Sequence, residues 1–277
     1  MSCYARMSVI IIKNLNLKIM IKPHYKPSDK GLLKFRYDYY SQNGEDGIIK
    51  ELLKRLNLNE LEVCEFGAWD GVHLSNTFNL IKNHAAKAVL IEGDNKKFKD
   101  LMETAKLFKN ITPIQAYIDT KENLLDNVLS NTFLKKDFDI LSIDIDSNDL
   151  EIWESLNNYL PKIVIIEIQS HILPGVIERY NFENKTFNSF TSTIKSGTKK
   201  GYTAVAHTGN LFFVRNDYLD KVKLEKDLIE NSEGLFIYDW ANKDLFKKFL
   251  IKVLPGNIIY ILKILKKYLI KLTKCFS

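Results

Sequence analysis

The sequence predicts a doubly wound α/β fold whose mostly parallel, seven-stranded sheet ends in an antiparallel hairpin. Three observations carry this prediction. Five short runs rich in Val, Ile and Leu recur between residues 61 and 168. Each of the first four is followed by a stretch with helical periodicity. Two further strand-like runs are separated only by His207, Thr208, Gly209 and Asn210. Continuous apolar runs suit strands covered on both faces. Strands spaced by helices imply crossover connections within one parallel sheet.

The elements follow in order. A helix over Glu45–Leu56 precedes the first strand, Leu61–Phe66. A helix near Leu74–Asn83 leads to the second, Ala88–Glu92. A helix over Lys96–Phe108 leads to the third, Thr112–Ile118, and one over Glu122–Leu129 to the fourth, Asp139–Ile145. A helix over Leu150–Tyr159 leads to the fifth, Ile163–Ile168. A polar stretch over 178–185 and a helix over Phe190–Lys199 then precede the hairpin, Tyr202–Ala206 and Leu211–Arg215. Its Gly-containing connection is what a hairpin needs. The divisions expected are an N-terminal extension over 1–36, a central domain over 37–217, a helical and loop extension over 218–254, and a tail over 255–277.

Composition narrows the class. The 277 residues are 45% apolar and 27% charged, with 12 Gly and 6 Pro, which excludes a disordered or collagen-like chain. Cys3, Cys64 and Cys275 are odd in number and far apart. They form neither a metal-type pair nor a disulfide framework, so a reducing cytoplasm is expected. The net charge of +6 is concentrated at one end: residues 243–277 hold nine Lys against one acid, Asp244. The remainder is slightly acidic, which argues against a nucleic-acid-binding body. Within the tail, Lys263, Lys266, Lys267, Lys271 and Lys274 recur at spacings of three and four along an apolar segment. That is a basic amphipathic helix, suited to a membrane surface, a partner helix or its own domain. The apolar segment Ser8–Ile21 is interrupted by Lys13 and Lys18 and is followed by no small-residue cleavage site.

Ligands of doubly wound sheets sit at the C-terminal strand ends. The first strand ends in Glu65-Phe66-Gly67-Ala68-Trp69-Asp70-Gly71. Its two glycines allow a tight turn, and Glu65 suits a cationic ligand rather than a pyrophosphate. The second ends in Glu92-Gly93-Asp94, where Glu92 is placed to accept ribose hydroxyls. The third ends at Tyr117-Ile118-Asp119, candidates to flank a base. The fourth carries Asp144 and Asp146, expected to share one strand face by the period of two. With Glu167 from the fifth strand they suggest Mg²⁺ or Mn²⁺, or a carboxylate base of raised pKa. Alternatively Asp144 binds ligand while Asp146 or Asp149 caps the next helix. His171 and His207 are candidate general bases. No GxSxG elbow, Walker loop or HExxH is present, which argues against the common serine hydrolases, P-loop NTPases and zincins.

These pieces, together with Tyr40-Ser41-Gln42-Asn43-Gly44-Glu45-Asp46, Ile165 to Gln169 and Gly209 to Val214, resemble class I S-adenosylmethionine-dependent methyltransferases of the FkbM-like group over roughly residues 37–217. The resemblance implies a Rossmann-like domain. It implies that Glu65, Gly67 and Gly71 shape the methionine end of the S-adenosylmethionine site and that Glu92 holds the ribose. Tyr117 or Asp119 would lie near the adenine, and the Ser41-Gln42 loop would close over the cofactor. Asp144 would face the methyl group and act as base, with His171 as the alternative. Relatives commonly methylate sugar hydroxyls, so a glycan precursor of a bacterial capsule or lipooligosaccharide is the expected acceptor. One departure is Glu92-Gly93 where many such chains have Glu-Pro. Two competing expectations are a metal-dependent nucleotide-sugar-modifying or glycosyl-transferring enzyme, and a non-enzymatic scaffold anchored by the tail.

Overall fold

The structure, a computed structural model, describes residues 22–23 and 29–241. The predicted tail helix and the segment Ser8–Ile21 lie outside the described residues. Seven strands form the main sheet: β1 (Glu62–Phe66), β2 (Lys87–Glu92), β3 (Ile111–Gln115), β4 (Ile140–Ile143), β5 (Ile163–Glu167), β6 (Tyr202–His207) and β7 (Asn210–Arg215). Their order is β3-β2-β1-β4-β5-β7-β6. Only β7 runs antiparallel to its neighbours, inserted between β5 and β6. This is a doubly wound, Rossmann-like sheet that ends in an antiparallel hairpin.

The helices are α1 (Glu45–Leu56), α2 (Phe78–Asn83), α3 (Asn95–Leu107), α4 (Leu125–Leu129), α5 (Asp149–Ser155), α6 (Phe190–Lys199), α7 (Leu219–Val222) and α8 (Lys226–Glu230). The central strands bury nearly every side chain. Val63, Cys64, Val89, Leu90, Leu141, Val164 and Ile165 are all inaccessible to solvent. Such continuous burial is why these runs read as apolar throughout rather than alternating. Trp153 of α5 fits between Tyr202 and Phe213, with ring centroids 5.5 and 5.0 Å away.

Several predicted boundaries differ, and at four of them a carboxylate explains the difference. The helix expected from Leu74 begins only at Phe78, because Ser75, Asn76 and Thr77 bond to Glu65 instead of to a helix. The helix expected from Glu122 begins at Leu125, because Asp119 captures the amides of Lys121, Glu122 and Asn123. The helix expected to reach Tyr159 stops at Ser155, where Asp126 accepts from the amides of Asn157 and Asn158. Strand β4 stops at Ile143, because Asp149 binds the amides of Ile145 and Ser147. Local side-chain acceptors compete with regular ladders for the same donors.

The flanking segments pack together. The 3-10 turn Gly31–Phe35 and α7 lie beside α1, where the Arg55 guanidinium donates to the Val222 carbonyl at 2.5 Å, while α8 and the 3-10 turn Ser232–Leu235 pack against β6.

Gly67 fixes how closely β1 and β4 approach. Its φ is +84°, and a Cβ there would lie 1.9 Å from the Asp144 carbonyl oxygen. Gly67→Ala is therefore expected to destabilise the protein by about 2 kcal/mol or more, read as a lower urea midpoint. An unchanged midpoint would show that the junction yields without cost.

Candidate active site

The five parallel strands and β6 present their C-terminal ends along one crest of the sheet, and the predicted site residues gather there. Glu65 is the most central. Its buried carboxylate accepts from Ser75 Oγ and Thr77 Oγ1, both at 2.5 Å, and from the Asn76 amide at 3.1 Å. Burial raises its pKa, and these donors oppose the rise. Gly67 and Gly71 follow with positive φ. The space at both glycines is taken by the protein itself: the Asp144 carbonyl at Gly67, and Leu90 and Leu101 at Gly71.

Glu92 ends β2 and is also buried. One carboxylate oxygen accepts from the Trp69 amide and the other from the Asp94 amide, each at 2.8 Å. A carboxylate has about four acceptor positions, so two remain. Trp69 itself holds φ +46°, rare for a bulky residue, and leaves its ring 42% exposed. Tyr117 is 72% exposed. Its ring lies over Gly93, where a Cβ would meet it at 2.6 Å. This close contact accounts for Gly in the Glu92-Gly93 departure. Asp119 is turned to its own loop, where one oxygen accepts three successive amides.

Asp144, Asp146 and Glu167 come together: one carboxylate oxygen from each lies within 4.8 Å of the others. The route differs from the expected one. Asp144 and Asp146 share no strand face, since β4 has ended, and Asp146 takes φ +56° in the loop. Asp149 orders that loop from below, and burial pushes its own pKa up to about 6. Asp144 is open to solvent by area yet sits in a concavity of protein. Desolvation there raises its pKa, and the charges of Asp146, Glu65 and Glu45 raise it further. Glu167 is raised as well, first by burial and then by Asp144. A hydrogen bond between the two carboxyls lowers the pKa of Asp144 and raises that of Glu167.

The loop before α1 closes the other side. Asp46 Oδ2 accepts from the amides of Tyr39, Tyr40 and Ser41 at 2.7 to 2.9 Å. Glu45, also buried, accepts from the amides of Gln42 and Asn43 and from Thr208 Oγ1 at 2.6 Å. Burial raises the pKa of both acids. Gln42 is exposed at the tip of this loop. Glu45 was not singled out as a site residue in the sequence, nor was Trp69. A Gly-Glu-Asp run opening an amphipathic helix, and a Trp between two glycines, are the signals that mark them.

The two histidines part company. His207 is fully buried. Its Nδ1 accepts from the Ile237 amide at 3.0 Å, and its Nε2 lies 2.9 Å from Ser170 Oγ. Burial drives its pKa down to about 3, so it is neutral and serves as a pin between the hairpin turn and residues 236–237. His171 is exposed on the loop leaving β5.

No protein-family model matches the chain, and no curated protein matches it. Solved structures align with it at low similarity. TrmK of M. capricolum, in complex with S-adenosyl-homocysteine, is 14% identical over 76% of this chain and 90% of its own, with a TM-score of 0.41. A SAM-dependent methyltransferase from Aquifex aeolicus is 17% identical over 60% and 86%, with a TM-score of 0.39. The N-terminal domain of EvdMO1 with SAH bound is 10% identical over 64% and 81%, with a TM-score of 0.38. The fold stands on the strand order above.

The acidic crest predicts a pH dependence. Asp144, Asp149 and Glu167 have folded pKa values above the ordinary carboxylate range near 4. Their stabilising contribution is complete below that range and is lost as pH rises, through about 6 for Asp144 and Asp149 and through about 9 for Glu167. Asp144→Asn removes one repelling charge. It is expected to raise the Tm at pH 8 and to change it little at pH 5. Equal loss of Tm at both pH values would contradict the repulsion.

Proposed function

We propose that this chain is an S-adenosylmethionine-dependent methyltransferase acting on a sugar hydroxyl. The observation that carries the reading is the set of carboxylates at the strand ends. Glu92 stands at the end of the second strand with two acceptor positions left, and Asp144 faces an acidic concavity fed by Glu45, Glu65 and Glu167. That field favours a ligand carrying positive charge at its reacting end. S-adenosylmethionine supplies an activated methyl group on a sulfonium and carries an ammonium beside it. Glu92 would hold its ribose hydroxyls, Tyr117 would border its base, and the loop bearing Gln42 would cover it.

A sugar hydroxyl is a poor acid, so the acceptor's proton needs somewhere to go. Asp144 takes that proton while Glu167 shares it, which spares the cluster a second full negative charge. The acceptor class, a nucleotide-linked or lipid-linked glycan precursor, rests on the family resemblance. So does a role in bacterial capsule or lipooligosaccharide assembly in the cytoplasm. The lysine-rich sequence after residue 242 suits work at the inner face of a membrane. Among the described residues no helix is long and apolar enough to cross one.

One observation favours a second reading. The gathered oxygens of Asp144, Asp146 and Glu167 suit a hard divalent cation, as a metal-dependent nucleotide-sugar-modifying enzyme would need. The experiment that separates the two readings measures methyl transfer from labelled S-adenosylmethionine to a panel of nucleotide sugars, with Mg²⁺ and after chelation. Glu92→Ala is expected to weaken cofactor binding about tenfold or more, since a charge-assisted hydrogen bond contributes about 1.5–3 kcal/mol. Asp144→Asn is expected to lower kcat more than cofactor affinity. Metal-dependent binding of a nucleotide sugar, with no binding of the methyl donor, would overturn the first reading in favour of the second.

A further inference from the structure

Between β5 and α6 the chain makes an arm, residues 171–188. We propose that this arm docks the protein on an anionic lipid bilayer, with Ile177 and Phe182 entering the interfacial layer. Thirteen large apolar side chains stand exposed among the described residues, and four of them fall within the ten residues 173–182. They are Leu173, Val176, Ile177 and Phe182, of which the last two are 56% and 82% exposed. Such side chains scattered singly are ordinary; gathered on one segment they mark a surface that meets an apolar phase.

Polar bonds at the base hold the arm in this posture. The Gln169 amide donates to the Asn188 carbonyl at 3.0 Å and joins the arm's two ends. Ser189 Oγ accepts from the Glu178 amide at 3.1 Å and donates to the Val176 carbonyl at 2.8 Å. Thr191 Oγ1 accepts from the Gly175 amide at 2.8 Å. The Arg179 guanidinium bridges Glu151 and Glu154, at 2.9 and 2.5 Å. The backbone from Gly175 to Arg179 is thus fixed while the Val176 and Ile177 side chains are left in water. Phe182 stands in the turn closed by the paired backbone of Asn181 and Thr186.

Charge identifies the occupant. Residues 243–277 carry nine Lys against one acid. That sequence departs from the foot of the arm. Trp240 donates its indole N–H to the Thr208 carbonyl, and Ser170, just before the arm, donates to the Gly209 carbonyl at 3.0 Å. Arm and lysine-rich sequence are therefore rooted on one turn, the β6–β7 connection. Lysines are drawn to anionic headgroups, and protruding apolar side chains partition into the boundary below them. The arm's own exposed charges, Glu183 and Lys185, cancel and give a charged protein surface nothing to recognise. Phe182 is the most exposed of the thirteen, a projection that a bilayer receives without a matching pocket.

The arm also borders the carboxylate cluster. Phe187 and Asn188, on its return, line one small cavity with Asp146 and Glu167. Docking through the arm would bring the cluster near the bilayer, where a lipid-linked acceptor presents its headgroup. That consequence rests on the acceptor reading above; docking is measured independently of it.

The test uses the full-length chain with vesicles of phosphatidylcholine, with and without phosphatidylglycerol. The chain is expected to sediment with the anionic vesicles. Combining Ile177→Ser with Phe182→Ser is expected to weaken that binding about tenfold or more, with Tm unchanged because both side chains are exposed. In Phe182→Trp, emission in excess of the unsubstituted chain is expected to shift to the blue on anionic vesicles. Lipids brominated in their acyl chains are expected to quench it. No binding to anionic vesicles, binding indifferent to the double substitution, or emission that is neither shifted nor quenched would overturn the proposal. Self-association lost in the double variant, without vesicle binding, would assign the arm to a second copy instead. Calorimetry with S-adenosylhomocysteine is run in parallel. Vesicle binding through the arm without S-adenosylhomocysteine binding would sink the methyltransferase reading and leave the docking arm standing.

Discussion

The crest of this sheet depends on how the buried carboxylate of Glu65 is satisfied. An ionised carboxylate moved from water into protein costs several kcal/mol unless donors replace its hydration. Ser75, Asn76 and Thr77 provide those donors, and in doing so they give up the first turn of a helix. The β1–α2 connection is therefore wrapped around Glu65 rather than coiled past it. That wrapping leaves the charge of Glu65 near Asp144, where it contributes to the raised pKa.

The same device recurs. Asp46 gathers three amides, Asp149 two, Asp119 three, and Glu92 bridges the β1 and β2 loops. Each acid closes a loop of the crest with charge-assisted bonds, roughly twice as strong as neutral ones. Asp144, Asp146 and Glu167 stand apart from this pattern. They face one another instead, and their mutual repulsion is relieved by a proton or by a cation. The distinction between acids that build the crest and acids that remain to meet a ligand is the strongest functional signal in the molecule.

Much of this was legible in the sequence. All seven strands are found, and α1 and α6 have the predicted limits, because apolar periodicity reports burial directly. Strand ends and helix starts were less legible. They are set by which acid captures which amide, a tertiary fact that periodicity does not carry. Asp144 and Asp146 show this well: an alternating pattern places them on one strand face, whereas Asp149 ends the strand and a left-handed residue brings them together. The role of Glu45 is not visible locally, because its partner Thr208 lies 163 residues away. His207 read as a candidate base, yet complete burial makes it a structural pin.

The central claim is that the acid cluster holds a proton only until a cationic ligand replaces it. Calorimetric titration of S-adenosylmethionine in buffers of different ionisation enthalpy at pH 7 counts the protons exchanged on binding. The account predicts net proton release, larger for S-adenosylmethionine than for the uncharged thioether of S-adenosylhomocysteine, and abolished in Asp144→Asn. Binding with proton uptake, or with equal exchange for both ligands, would contradict it.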